Sequence, residues 1–223
     1  MDINTAKDLS KKLKISLDWV VREEYEMLLL KEIFESEFSS NLIFKGGTAL
    51  RLAYGSPRFS EDLDFDAIGN FDSKKFLSFL KKIVRYPGVT DVKTREKFYT
   101  VFGLVRIKDE ILTRPFSIKV EISKRKGRWR KDKDYFDKLI FSEVTVFRVL
   151  ARVASLEKIL KEKKEALKRR KAPRDVFDYW FISQALGKRV KTDFSGHDPA
   201  LVKSELRRLL PRSYWRLIDS WLE

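Results

Sequence analysis

Two rhythms of apolar residues alternate along the chain. Between residues 6 and 38, Leu17, Val20, Val21, Met27, Leu28, Leu30, Ile33, Phe34 and Phe38 recur at spacings of three and four. That is the pattern of a helix with one buried face, and Ser16 stands where a cap would open it. The apolar run Asn41-Leu42-Ile43-Phe44 then stops at Gly46-Gly47, as a buried strand does on entering a tight turn. Thr48 is placed to cap a short helix through Ala49, Leu50, Leu52 and Ala53, which Gly55-Ser56-Pro57 ends. From Asp62 to Asp66 charged and apolar residues alternate. A period of two sets Asp62, Asp64 and Asp66 on one strand face and Leu63 and Phe65 on the other.

Further on, the pattern predicts a helix over 71–84, opened at Asp72 or Ser73 and closed by Pro87-Gly88. Strands follow over 97–108 and 115–123. In the second, Phe116, Ile118, Val120 and Ile122 alternate with Ser117, Lys119, Glu121 and Ser123, so Glu121 points away from the apolar set. A charged helix over 155–171 buries Leu156, Ile159, Leu160, Ala166 and Leu167. Lys163 and Arg170 share that stripe. Pro173 opens another helix, Gly187 stops it, and two short helices end in Trp221-Leu222.

With 223 residues the chain suffices for one large domain or a core with a smaller appendage. It contains no apolar run long enough to span a bilayer and no apolar leader at its start. A cytoplasmic protein without a membrane partner is therefore expected. There is no cysteine and a single histidine, His197, which excludes thiolate and multi-histidine metal centres. His197 lies in a polar loop beside Ser195 and is read as incidental. Chemistry falls to carboxylates, hydroxyls, lysine and arginine. The net charge of +15 attracts polyanions, of which RNA is the plainest.

Three carboxylates on one strand face repel one another unless they are solvated or bind cations. Mg²⁺ commonly takes one or two carboxylates together with substrate phosphates. Backbone N–H groups at a Gly-Gly helix start hold phosphate oxygens. A phosphate cradle beside a metal pair points to metal-assisted nucleotidyl transfer. Lys163 and Arg170, facing inward, need an anion. A triphosphate near Thr48 would supply it, and Lys163→Met would then spare stability while removing activity; snorkelling along the helix edge is the plainer alternative. Asp175 reads as a first-turn dipole partner, whereas Asp178 sits among aromatic residues with no such explanation. The basic run from Lys124 to Lys131 encloses Trp129. Arg125, Lys126, Arg128 and Arg130 suit phosphates and Trp129 suits a stacked base, although a solvated loop reads equally well from the segment alone.

Gly46-Gly47-Thr48 and Asp62-x-Asp64, separated by thirteen residues, resemble the first motif of the polymerase-β-like nucleotidyltransferase superfamily. The fuller string GGTALRL-x-YG-x-x-R-x-SEDLDFD is similar to that of the AbiEii/AbiGii-type toxin nucleotidyltransferases of type IV abortive-infection systems. So is the closing pattern Glu162-Lys163-x-x-Ala166-Leu167-x-x-Arg170-x-x-x-Arg174-Asp175-x-x-Asp178. The resemblance runs over residues 15–185. It implies an α/β (α+β) fold with a polymerase-β-like nucleotidyltransferase core and a mixed sheet. Helices would lead at 1–40, the core would occupy 41–153, and a C-terminal helical part at 154–223 would complete the nucleotide site.

The implied enzyme moves a nucleoside monophosphate from an NTP to a hydroxyl, with Mg²⁺ or Mn²⁺ held by Asp62, Asp64 and Glu121. Lys119-Val120-Glu121-Ile122-Ser123 is similar to the superfamily's third-carboxylate motif; an exposed glutamate on a half-buried strand is the plainer reading. Lys163 and Asp175 join the implied catalytic set. Gly46, Gly47, Thr48, Arg58, Ser60, Lys163, Arg170, Arg174 and Asp178 are the implied nucleotide contacts, with Asp175 and Asp178 either ordering the arginine cluster or touching the nucleotide. The resemblance also implies RNA as acceptor, at the 3′ end of tRNA, and a separate antitoxin partner. Two rivals stay open: an antibiotic-type nucleotidyltransferase, whose cationic acceptors suit a +15 chain poorly, and a non-catalytic RNA-binding module.

Overall fold

The computed structural model describes residues 1–170 and 172–223. The anticipated N-terminal helix is two helices. The first, α1 (Ile3–Leu13), is opened by the Asp2 carboxylate, which accepts from the backbone N–H groups of Asn4 and Thr5, and is closed by Lys14 in the left-handed region at φ 56°. That turn breaks the phase, so α2 (Leu17–Phe34) starts afresh. Ser16 precedes it, but its hydroxyl accepts no backbone N–H as a cap.

The middle of the chain alternates strands and helices: β1 (Leu42–Lys45), α3 (Gly46–Tyr54), β2 (Asp62–Ala67), α4 (Ser73–Lys81), β3 (Val89–Glu96), β4 (Thr100–Ile107), β5 (Phe116–Ser123), β6 (Tyr135–Phe141) and β7 (Arg148–Ala154). Asp72 caps α4 by accepting from the Lys75 N–H. The strands form one mixed sheet in the order β3-β4-β5-β2-β1-β7-β6. At its centre β2 runs antiparallel to β1 and parallel to β5, while β1 runs parallel to β7. The strand anticipated from residue 97 begins at Thr100, because Lys97 and Thr100 close a hairpin around Phe98 and Tyr99. Strands β3, β6 and β7 were not anticipated. Two of these, β3 and β6, are sheet edges, where one side of the strand meets water and the apolar alternation weakens.

Leu42, Phe44, Leu63, Phe65, Val120 and Ile122 enter the largest core, together with Met27, Leu30 and Ile33 of α2 and Phe76 and Leu80 of α4. Ile43 and Ala154 enter a second core with Leu50 of α3 and with Ile159 and Leu160 of α5 (Leu156–Arg170). The helix end anticipated at residue 171 lies outside the described residues. Pro173 opens α6 (Pro173–Ala185), which joins α7 (Pro199–Leu209) and α8 (Trp215–Ser220) around Phe177, Phe194, Val202, Leu206 and Ile218.

This C-terminal part is pinned to the start of the chain. The Phe59 N–H donates to the Leu209 carbonyl at 2.8 Å, and the Trp19 indole N–H to the Arg208 carbonyl at 2.8 Å. Arg51 of α3 pairs with the buried Glu23 of α2 and stacks its guanidinium over Phe59 at 3.5 Å. Among the described residues no helix is long and apolar enough to cross a membrane.

Gly103 on β4 is the seat of α4: a Cβ there would collide with the Leu80 side chain. Gly103→Val should destabilise by about 1–3 kcal/mol through overpacking. In thermal unfolding, Gly103→Val combined with Leu80→Ala should lose less than the sum of the single changes. Strict additivity would show that the two residues do not compete for that space.

Candidate active site

The pairing of β2 with β5 sets the carboxylates. Asp62 lies opposite Lys119, Asp64 opposite Glu121, and Asp66 opposite Ser123. On the other flank Lys45, the last residue of β1, lies opposite Asp64. Asp62, Asp64 and Glu121 line one cavity. Burial, and then the neighbouring Asp62, push the Asp64 carboxyl up to about 6 against the pull of Lys119. The Lys119 ammonium stands 3.2 Å from Asp62 and 3.0 Å from Glu121. Those two carboxylates raise its pKa, outweighing the opposing effect of its burial.

Among the described residues no three acidic or histidine side chains converge as a complete metal cage. The donors present are hard oxygens short of compensating charge, and they fit a divalent ion whose shell is completed by phosphate oxygens. Asp66 does not join them. It pairs with Lys45 at 3.0 Å, and Lys45 also holds Glu162 of α5 at 2.8 Å.

The glycine pair explains itself by close approach. Gly46 has φ +81°, and a Cβ on it would lie 2.5 Å from an Asp64 carboxylate oxygen. A Cβ on Gly47 would strike the Arg58 guanidinium and lie 2.7 Å from the Ser60 hydroxyl. Helix α3 starts here with no side chain capping it, so its first N–H groups are free to serve an anion. Thr48 is not the cap: it lies inside the first turn, fully buried, and its hydroxyl donates to the Asp62 carbonyl at 2.6 Å. It fixes β2 against α3, and its hydroxyl is already committed rather than offered to a nucleotide.

The opposite wall carries the cations. Lys163, Arg170 and Arg174 line the cavity with Gly46, Gly47 and Ser60. Lys163 lies 3.0 Å from Asp175 and 2.6 Å from Asp178, so the anions it meets belong to the protein. Arg170 grips Asp175 at 2.6 and 3.0 Å. Arg58 grips Asp178 with two nitrogens, at 2.6 and 2.8 Å, and spends a third on the Phe59 carbonyl. Burial would raise the Asp178 carboxyl, yet Arg58 and Lys163 hold it down to about 2. Asp175 is likewise lowered, by Arg170 and Lys163, against its burial.

Both aspartates are fully buried, so of their two expected roles, ordering the cations or touching the nucleotide, the structure places them in the first. Neither Asp175 as a catalytic group nor Asp178 as a nucleotide contact reaches the cavity surface; each positions cations that do. Arg58, itself buried, backs the glycine turn with its donors mostly spent. Arg174 pairs loosely with Glu205 at 3.4 Å and stays partly exposed.

Lys119, Lys45, Glu61 and Arg208 also line the cavity. Lys119 was legible from its period with Glu121. Arg208, which pairs with Glu61 at 2.7 Å, was not, because only the return of α7 brings it here. In the basic loop, Arg125, Lys126 and Arg128 are exposed. Arg130 is tied to Asp134 at 2.9 Å. Trp129 packs on the second core under the Lys158 ammonium, 4.8 Å from its ring centre, and so does not offer a free face for stacking.

Residues 28–209 match the family described as Nucleotidyl transferase AbiEii toxin, Type IV TA system. The fold is similar to the crystal structure of JHP933 from Helicobacter pylori, with 26% identity and a TM-score of 0.63 over 93% of this chain and 89% of that one. It is also similar to MenT4, a nucleotidyltransferase toxin from Mycobacterium tuberculosis, with 20% identity and a TM-score of 0.59 over 91% and 68% of the two chains. No curated protein sequence matches the chain.

Because Asp64 is raised in the folded state, its contribution to stability is present below the ordinary carboxylate value of 3.8 and lost as pH rises through about 6. In chelator, the wild-type protein should therefore lose melting temperature across that window relative to Asp64→Asn; parallel curves would refute the crowding of charge at Asp64. Lys163→Met is now expected to destabilise by about 3–5 kcal/mol, since it strips a cation from two buried carboxylates. In urea titrations of both variants, the exposed Lys164→Met should be nearly silent. The reverse ranking would mean that Lys163 is not part of the buried network.

Proposed function

The chain belongs to the AbiEii nucleotidyl transferase toxin family of type IV toxin–antitoxin systems, and from that premise we propose that it transfers a nucleoside monophosphate from an NTP to a hydroxyl of RNA, at the 3′ end of tRNA, with Mg²⁺ or Mn²⁺. Membership makes it a nucleotidyltransferase and implies a separate antitoxin. The observation that carries the finer reading is the division of one cavity into two walls. Asp62, Asp64 and Glu121 line one side, Lys163, Arg170 and Arg174 the other, and the uncapped start of α3 lies between them.

In this reading the triphosphate lies against the first N–H groups of α3, with Lys163, Arg170 and Arg174 facing its outer phosphates. Asp62 and Asp64 would hold the divalent ion, with Glu121 beside them as a further oxygen donor. When bound, that ion offsets phosphate charge and makes the acceptor hydroxyl more acidic. Glu121 receives the hydroxyl proton. The acceptor oxygen bonds to the α-phosphorus as the bond from that phosphorus to its bridging oxygen breaks, and pyrophosphate leaves with the electron pair. The charge that develops on it falls on Lys163 and Arg170, which Asp175 and Asp178 hold in place before the reaction begins. Residues 154–223 thus complete a site whose carboxylates belong to 41–153. The charge of +15 supports a polyanionic acceptor over a cationic antibiotic.

The test is incubation with each α-labelled NTP, Mg²⁺ or Mn²⁺, and total tRNA. Label should enter tRNA from a preferred NTP with release of pyrophosphate, and chelator should abolish it. Asp62→Asn should reduce the rate by ~10²-fold or more while the melting temperature holds. Labelling by Asp62→Asn/Asp64→Asn at the wild-type rate would exclude this site, and transfer confined to small cationic acceptors would exclude RNA.

A further inference from the structure

The tip of the β3–β4 hairpin carries two aromatic rings that the core does not use. Phe98 is 83% exposed and Tyr99 53%, and their rings meet edge to face with centres 4.5 Å apart. Turn tips normally carry small polar residues, because an exposed ring gains nothing from folding. Two exposed rings in contact mark a surface that binds something.

The surroundings are cationic. Lys124, Arg125 and Lys126 share one open concavity with Phe98 and Tyr99, and the Arg125 guanidinium lies 5.8 Å from the Tyr99 ring centre. The nearby carboxylate of Glu96 is already neutralised by Lys124 at 2.6 Å.

The platform lies beside the catalytic cavity along β5: Ser123 lines the cavity and the next residue, Lys124, lines the platform. Glu121 of β5 pairs directly with Phe102 of β4, so the half-buried Phe102 ring shares the Glu121 face. The Lys97 ammonium sits 4.9 Å from the centre of that ring. Two residues beyond Glu121, Ser123 lines the catalytic cavity and pairs with Thr100. The next residue, Lys124, donates its N–H to the Tyr99 carbonyl at 2.8 Å. By strand rise, Glu121 and the hairpin tip are therefore about 10 Å apart. From Glu121 outward run Phe102, Tyr99 and Phe98, flanked by Lys97, Arg125 and Lys126.

The geometry points to a stacking platform for single-stranded RNA, on which the unpaired bases preceding the acceptor hydroxyl rest on Tyr99 and Phe98 while the flanking cations meet their phosphates. This inference rests on RNA being the acceptor. Rings stack on bases without regard to sequence, and cations beside them track the backbone. The neighbouring cations favour a nucleic acid over an apolar partner; an acidic protein partner on the same rings is the competing outcome.

The experiment measures binding of a fluorescein-labelled oligouridylate dodecamer by anisotropy, alongside binding of a fluorescent ATP analogue. Phe98→Ala and Tyr99→Ala should each weaken oligouridylate about tenfold, and together more, with ATP-analogue binding and melting temperature unchanged. Phe141→Ala removes a ring of comparable exposure (54%) on the far edge strand and should change nothing. Wild-type affinity in the Phe98→Ala/Tyr99→Ala chain would overturn the platform while leaving RNA transfer intact. If that chain instead loses a co-purifying antitoxin and keeps RNA, the rings are a protein interface and the inference is wrong. Failure of the wild-type protein to bind oligouridylate while it still labels tRNA would overturn the platform, and the same failure with transfer confined to a non-RNA acceptor would overturn the RNA reading beneath it.

Discussion

Five charged side chains tie the C-terminal helices to the turn after α3: Arg58, Asp178, Lys163, Asp175 and Arg170 form one continuous row of four ion pairs, all at 3.0 Å or less. The row crosses 120 residues of sequence between Arg58 and Asp178. Buried ion pairs add little net stability, because desolvation offsets most of their attraction, but they are intolerant of any arrangement that strands a charge. That intolerance is what this row supplies. Helices α5 and α6 seat against the α3 turn with both buried aspartates neutralised, and in that seating Lys163, Arg170 and Arg174 line the same cavity as the strand carboxylates.

The facing wall is built by backbone approach rather than by charge. Gly46 admits the Asp64 carboxylate and Gly47 admits Arg58 and Ser60, each within a distance that a side chain would forbid. Thr48 then locks α3 to β2 through the Asp62 carbonyl. The two sides of the cavity carry opposite imbalances: burial, and then the neighbouring Asp62, raise Asp64, while Arg58, Lys163 and Arg170 share two buried aspartates. A triphosphate with a divalent ion answers both at once. Lys119 spans Asp62 and Glu121 and offsets part of the negative excess within the protein itself.

Aromatic residues divide by the same logic. Trp129, which lies in the basic run, is drawn into the second core because Ile159 and Leu160 of α5 offer it apolar surface. Phe98 and Tyr99 are left outside because a hairpin tip has no layer above it. The exposed cations of the basic loop, Arg125 and Lys126, therefore lie beside rings that precede them by some 25 residues rather than beside the tryptophan within their own run.

Much of this was local and hence legible. The period of two on 62–66 and 116–123 sets which side chains share a face whatever the rest of the chain does, so Asp62, Asp64, Lys119 and Glu121 were placed by the sequence itself. The glycine pair, the Asp72 cap and the Pro173 start are equally local. Edge strands β3 and β6 lacked the alternation that burial on one face imposes, and went unread. What only tertiary structure decided was pairing. The parallel register of β2 on β5 brought Asp64 beside Glu121, and the return of α7 brought Arg208 to Glu61. Above all, the helical stripe showed that Lys163 faced inward, but not which anion it met. Periodicity reports direction relative to one element's own axis; the partner depends on how neighbouring elements come to rest, and here α6 folds back on α5 so that its buried Asp175 and Asp178 meet Lys163, while Arg58, 120 residues before Asp178, completes the row.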